Sequence, residues 1–419
     1  MAKRLKCAAL ATGMKCLPQD KVNIALQGNV IHDSHAEILA LRAFNRFLLE
    51  QCADLAAKGR QYAHDSNHVL EWTPSLHDPD LTTQDSTSGA PGNPTTKSNL
   101  ISASRGPTLI DAPFWSEQPF RINPAIKLHM YCSEAPCGDA SMELTMASQE
   151  DATPWTRTPP RESRLGSSET SADISADAHI TPHHHDSLYG RSYFDVLGVV
   201  RRKPSRPDAP PTLSKSCSDK LALRQCTSTL STMTSLLIQP DNAYLHTVTL
   251  PSSQYVEKAC HRAFGPHGRM AAISQPGQSA LSDGGYRYRP FEVRTTTREF
   301  KFGRRISPSA AITAIVPSNI ASLTFGPNQE TLINGVLQGR KHADPKGASS
   351  VSRRKMWSLA LSIATLVGER AISHSLSRST YRDMKQQHPL RAREAMKSAA
   401  RLVALKGWKK NSGDEEWTL

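Results

Sequence analysis

This 419-residue sequence contains no apolar run approaching the ~18 residues that a membrane-spanning helix requires. Its best stretch, Leu359 to Val367, is about half that length, so a transmembrane helix is not expected. The start, MAKRLKCAALATGMKCL, has too short an apolar stretch for a secretory leader, and Lys15 interrupts it. Cysteines are few for the length: eight, at 7, 16, 52, 132, 137, 217, 226 and 260. So thin a scatter argues against a disulfide scaffold. It suits a reduced intracellular protein, nuclear or cytoplasmic, with thiols free for metal or catalysis. Acidic residues are in deficit, 38 against 51 Lys and Arg, leaving a formal charge of +13. That excess points to polyanions: nucleic acid, phosphate ligands or an acidic membrane surface. Hydrophobic residues make up only 38%, which implies a packed core diluted by polar segments that do not fold. No internal repeat is visible.

At roughly 150 residues per domain, the length alone admits two or three domains and a sizeable core. Two stretches, 75–118 and 148–187, are rich in Ser, Thr, Pro, Gly and Asp and have neither helical nor strand periodicity. They cannot bury enough apolar surface to offset the entropy of ordering, and are read as disordered insertions in surface loops. The triplet His183, His184 and His185 falls in the second and reads as a solvated polar tract.

The remaining blocks alternate strand and helix. Val22 to Leu26 alternates apolar and polar residues and predicts a strand. From Ser34 to Cys52, Ile38, Leu41, Phe44 and Leu48 share one helical face, with Asp33 or Ser34 able to cap its start. Leu128, Met130 and Cys132 predict a second strand, running through a Gly138 turn into a helix over 140–147. Phe194 to Val200 predicts another strand; a basic Pro-rich loop follows, then a helix from Cys217. The tail predicts helices over 352–370 and 381–410, and residues 351–419 hold 14 Lys and Arg against 6 Asp and Glu. Such alternation implies an α/β sandwich.

Two short motifs carry the chemistry. His35-Ala36-Glu37 and Pro136-Cys137-Gly138 each fall where a strand turns into a helix. Zinc prefers imidazole nitrogen and thiolate sulfur in a tetrahedron, and a catalytic zinc needs three protein ligands beside a water. Helix N-termini favour anionic groups, because their free N–H groups point at the site. Glu37, two residues beyond His35, can serve as a proton shuttle without ligating the metal. The pair matches the zinc-deaminase signature H-x-E … P-C-x-x-C, except that Ala140 stands where the last cysteine belongs. The third ligand must come from Cys132, Cys217 or Cys226. Cys217, in a polar turn that opens a helix, best repeats the setting of the other two.

With these residues in view, TGMKC (12–16), HDSHAEILALRAF (32–44), PCGDASMEL (136–144), the run from GRSYF to VRRKPSRPDAPPTLSKSCSDKLALRQ (190–225) and TMTSLL (232–237) resemble the RNA adenosine deaminase family. The likeness is to its tRNA-specific branch, the eukaryotic tRNA(Ala) adenosine deaminases in their fungal form. The double-stranded-RNA editing branch carries extra RNA-binding domains that this sequence does not display. The resemblance covers all the ordered blocks and implies one deaminase domain over 1–419. Its fold would be a cytidine-deaminase-like α/β/α sandwich with a mixed central sheet and a helical C-terminal part. It implies one zinc on His35, Cys137 and Cys217, with Glu37 as the shuttle. It also implies a buried inositol hexakisphosphate, at positions matching Lys15, Ile38, Arg42, Ser214, Lys220, Ser235, Lys355, Tyr381, Lys385, Lys397 and Trp408. A polyanion would neutralise basic side chains that otherwise resist burial. Leu41 and Leu223 replace basic residues common in the editing branch, Arg224 is placed to compensate for the second, and Arg393 stands where an aromatic is expected. The family also places a helix and strand before TGMKC that this sequence lacks.

The implied reaction is hydrolytic deamination of adenosine to inosine in tRNA, at the base 3′ of the alanine anticodon. That base must leave its stack, at low cost in a single-stranded loop. Arg201, Arg202, Lys203 and Arg206 are the phosphate contacts expected for tRNA. No membrane or protein partner is expected, and the chain is read as a monomer. The rivals are a free-nucleoside or cytosine deaminase, against which size and charge argue, editing of another RNA, and a non-catalytic protein that binds tRNA or inositol phosphate.

Overall fold

In the computed structural model, strand and helix alternate through most of the chain. The structure describes residues 5–60, 68–74, 118–148, 188–204, 209–275, 283–300, 318–368, 370–377 and 380–419. In chain order the elements are β1 (Ala9–Thr12), α1 (Ala36–Lys58), β2 (Leu70–Trp72), β3 (Phe120–Ile122), β4 (Leu128–Tyr131), α2 (Met142–Ala147), β5 (Leu188–Tyr189), β6 (Arg201–Arg202), α3 (Cys217–Thr227) and α4 (Thr234–Leu237). They continue with β7 (Leu245–Pro251), α5 (Glu257–Phe264), α6 (Ala271–Ser274), β8 (Glu292–Thr296), β9 (Ile320–Phe325), β10 (Asn328–Ile333), β11 (Val336–Leu337), α7 (Arg353–Val367), α8 (Arg370–Ser377), α9 (Tyr381–Met384) and α10 (Arg391–Val403). The class is mixed α/β, as the alternation implies.

Parallel and antiparallel pairing coexist. One antiparallel sheet has the order β1-β9-β10-β11, with Ala9 opposite Phe325 and Asn328 opposite Phe325 on its other side. A parallel sheet has the order β4-β7-β8. The short antiparallel pair β2-β3 sets Leu70 opposite Ile122 and Trp72 opposite Phe120. It thereby joins the two ends of the first insertion. The insertions 75–118 and 148–187 lie outside the described residues, apart from Gln118 and Ser148 at their edges.

Helix α1 is rich in Ala, Leu, Glu and Arg, all strong helix formers, and stops at Gly59 with φ +76°. Its residues Leu39, Ala43, Phe47, Leu48, Cys52 and Leu55 enter a core shared with α7, α4 and strands β9 and β10. Leu41 instead joins a second core, formed with α3, α5, α10 and β7. One helix thus ties the two cores together.

Two predicted strands are corrected. Residues 22–26 belong to short 3-10 turns at Gln19–Lys21 and Ile24–Leu26. Asn23 accepts from Ala25 N and nucleates the second turn, while Leu26 buries itself with Leu17, Val30 and Val336. Residues 194–200 form turns, because the Arg201 guanidinium gathers the carbonyls of Gly190, Ser192, Tyr193 and Val196 around itself. The predicted tail helix over 381–410 is broken, since Pro389 begins a separate turn ahead of α10.

Candidate active site

Three helical starts converge. His35 is the N-cap residue of α1, and Cys217 is the first residue of α3, whose cap Ser216 accepts from Asp219 N. Cys137 precedes the 3-10 turn that leads into α2. Its turn is pinned to α3: Ser218 N donates to Cys137 O at 3.0 Å, and Ser218 Oγ donates to Pro136 O at 2.8 Å. Gly138 permits this approach, because its φ is +102° and a Cβ would lie 2.3 Å from Ser216 Oγ. Gly13 does the same for α1: a Cβ there would lie 2.0 Å from Ser34 O.

The candidate ligand atoms lie at separations that a shared cation could bridge. His35 Nδ1 lies 3.7 Å from Cys137 Sγ and 3.6 Å from Cys217 Sγ. A tetrahedral zinc with ordinary Zn–N and Zn–S lengths sets the N–S edge at about 3.6 Å. One imidazole and two thiols therefore fit zinc in chemistry and in spacing. Cys132 and Cys226, the other cysteines considered, are buried in the second core.

The charges of the site are tuned by its neighbours. The Cys137 thiol is held well below its ordinary range, first by the Cys217 hydrogen bond, then by Lys203 and His35, against burial. The buried Cys217 thiol is pushed up. Burial and Lys203 oppose a charge on His35, but Cys137 outweighs them and raises its pKa to about 10. Burial, then the Cys137 charge, pushes the Glu37 carboxyl up, which favours its holding a proton.

Behind the ligands lies a buried ionic chain that sequence reading missed. Lys203 Nζ donates to Cys217 Sγ at 3.2 Å and to both Asp33 oxygens at 3.0 and 2.9 Å. Asp33 also accepts from Ser214 Oγ at 2.7 Å, from His35 N at 3.0 Å and from Lys220 Nζ. Burial opposes charge on this carboxyl, but Lys203 and Lys220 hold it well below the usual carboxylate range. The sequence signal was the Asp two residues before His35; of its lysine partners, Lys203 read as a tRNA contact in a basic loop and Lys220 as a polyphosphate contact.

The expected tRNA contacts need correction. Arg201, Arg202 and Lys203 are 1%, 5% and 3% exposed. Arg201 holds four carbonyls, Arg202 stacks 3.8 Å above the Tyr189 ring, and Lys203 holds Asp33, so none faces an external phosphate. A basic loop becomes core here because each cation finds carbonyl, aromatic or carboxylate partners. Arg206 lies outside the described residues.

The positions matched to a polyphosphate are divided. Ser214 and Lys220 serve Asp33, and Ser235 Oγ donates to Ser231 O at 2.7 Å. Ile38 is half-buried on α1. Arg42 donates to Val351 O, and burial and Arg353 lower its pKa. Burial and Arg393 push Lys397 down to about 7. Trp408 lies under Arg401 at 4.9 Å and Lys215 at 5.6 Å. Tyr381 stacks on Trp417 at 5.0 Å, with Lys385 Nζ 4.7 Å over its ring. Lys15 and Lys355 are exposed, unlike this group.

A family profile described as the adenosine-deaminase (editase) domain matches residues 9–83 and 109–412. The chain belongs to this family. It is 32% identical over 423 residues to the tRNA-specific adenosine deaminase 1 of Schizosaccharomyces pombe, covering 100% of this chain and 86% of that one. It is also 28% identical over 253 residues to the tRNA-specific adenosine deaminase 1 of Saccharomyces cerevisiae, covering 60% of this chain and 47% of that one. The His35, Cys137 and Cys217 cluster lies within the editase match. Among the described residues of this editase chain, no helix is long and apolar enough to cross a membrane.

Proposed function

We propose that the chain is a zinc-dependent hydrolase that converts adenosine to inosine in tRNA, at the base 3′ of the alanine anticodon. The observation that carries the reading is the convergence of His35, Cys137 and Cys217 at zinc spacing, with the half-buried Glu37 two residues beyond His35. Relatives named as tRNA-specific adenosine deaminases support the substrate class. His35, Cys137 and Cys217 would hold the zinc, which would supply Lewis acidity to the attacking water. Glu37 would take one proton from that water and pass it to adenine N1; after attack at C6 it would take the second proton from the new C6 hydroxyl and deliver it to the departing ammonia. Lys203 and Asp33 orient Cys217 from behind. An inositol hexakisphosphate belongs to the same reading. The half-buried cations Arg42, Arg224, Lys397 and Arg401 all have pKa values lowered first by loss of solvation, and a polyphosphate would relieve that cost.

The test is inosine formation in alanine tRNA incubated with purified protein, beside a Glu37→Ala control. Inosine 3′ of the anticodon, lost in the variant, is expected. A folded, zinc-loaded protein that makes no inosine in any tRNA would overturn the catalytic reading and favour binding alone.

A further inference from the structure

Each cysteine of the candidate zinc site is followed two residues later by an aspartate: Cys137-Gly138-Asp139 and Cys217-Ser218-Asp219. Asp139 begins the 3-10 turn after Cys137, and Asp219 lies in the first turn of α3, which starts at Cys217. Both carboxylates are buried, so each needs a partner. Both partners are arginines, and both come from one segment. Arg262, on α5, donates from Nε to Asp139 Oδ1 at 2.9 Å and from Nη2 to Asp139 O at 2.8 Å. Its Nη1 and Nη2 also reach the Glu143 carboxylate on α2, at 2.7 and 3.0 Å. Arg269, just beyond α5, donates from Nη1 to Asp219 Oδ1 at 2.5 Å. The other Asp219 oxygen accepts from Ser216 Oγ at 2.6 Å and from Arg201 N at 2.9 Å.

The two arginines are also fixed to each other. Arg269 N donates to Arg262 O at 2.9 Å, and Arg269 Nε donates to Ala263 O at 3.0 Å. Gly268 allows the chain to return this closely, since a Cβ there would lie 2.4 Å from the carbonyl oxygens of both His261 and Arg262. Cys260, Ala263 and Phe264 anchor α5 in the second core. One braced segment thus holds both thiol-bearing turns.

We propose that Arg262 and Arg269 are positioning residues for the zinc site, holding the Cys137 and Cys217 turns at a fixed separation through Asp139 and Asp219. This rests on the zinc reading and adds two arginines to it. A guanidinium fork fixes direction as well as charge, which a lysine ammonium does not. Groups that orient a metal's ligands commonly change its affinity by tenfold or more.

The test uses the full chain purified with its zinc, beside Arg262→Lys and Arg269→Lys, which keep the charge and lose the fork. Competition with a chromogenic chelator reads zinc affinity. The visible absorption bands of protein produced with cobalt(II) report the geometry at the thiolates. Each variant is expected to bind zinc about tenfold or more weakly and to shift the cobalt bands, while staying folded by circular dichroism. A merely structural role would lower the urea midpoint but leave the affinity or the cobalt bands of the folded protein at wild-type values, and either result overturns the assignment of that arginine. Wild-type protein that holds no zinc overturns the zinc reading itself, whereas a zinc-loaded wild type with unchanged variants overturns only the positioning role. Should a lysine variant yield no folded protein, Asp139→Asn replaces Arg262→Lys and Asp219→Asn replaces Arg269→Lys, since an amide keeps the shape and one accepting oxygen. Weaker zinc binding by the folded asparagine variant supports the brace. Wild-type zinc binding, or a second failure to fold, shows a role in folding alone and overturns it.

Discussion

At Gly138 the two ligand-bearing turns touch, and the side chain that would separate them is missing. Gly138→Ala should push Ser216 away and lower zinc affinity by about tenfold or more, as lost supporting contacts around a metal commonly do. Competition with a chelator would measure it. Asp33 is the hub of the ionic chain, so Asp33→Asn leaves Lys203 buried without its counter-charge. A loss of about 3–5 kcal/mol is expected, read as a lower urea midpoint. Glu37→Gln keeps the shape of the site but cannot take a proton. It should retain zinc by metal analysis while inosine formation falls about a hundredfold or more. His35 and Cys137 were legible as candidate ligands because His-x-Glu and Pro-Cys-Gly place their chemistry locally. Asp33 and Lys203 were not, because their partnership spans 170 positions.

Among the elements, α1 does two jobs: it carries His35 at its start and joins both cores along its length. Its buried Asn45 donates to Leu41 O at 2.7 Å and to Thr229 O at 2.9 Å, and accepts from Ser231 N. That side chain fixes α1 against the segment leading to α4. Asn45→Ala should destabilise by about 1–3 kcal/mol, since it strands buried polar groups. A denaturant titration would show it. Long periodic segments such as α1 and α7 were readable from the spacing of apolar residues. The apparent strands at 22–26 and 194–200 were not, because short apolar alternation also serves turns. There a side chain outside the stretch, Arg201, decides the backbone path.

For the molecule as a whole, the C-terminal tail closes onto the start of the chain. Asp414 accepts from Gly28 N and pairs with Arg353, while His32 Nε2 lies 3.1 Å from Asp414 Oδ2. Trp417 stacks on Tyr381 and packs beside Trp357. Burial lowers the His32 pKa from 6.5 to about 4, so the unfolded chain binds the proton more readily between these values. Stability is therefore complete above pH 6.5 and declines as pH falls towards 4, by up to about 3 kcal/mol from this group. His32→Gln should flatten that part of the stability profile, measured by urea unfolding from pH 7 to pH 4.5.

The sequence alone determined the alternation of strand and helix, the excess of positive charge and the motifs at residues 35–37 and 136–138. These are local properties, carried by spacing and residue type. Tertiary structure decided which basic residues face inward. Arg201, Arg202 and Lys203 read as phosphate contacts for tRNA but are core, and Arg393 and Arg401 lie on an inward face of α10. A cation's cost of burial depends on the partners that surround it, and those partners come from distant parts of the chain.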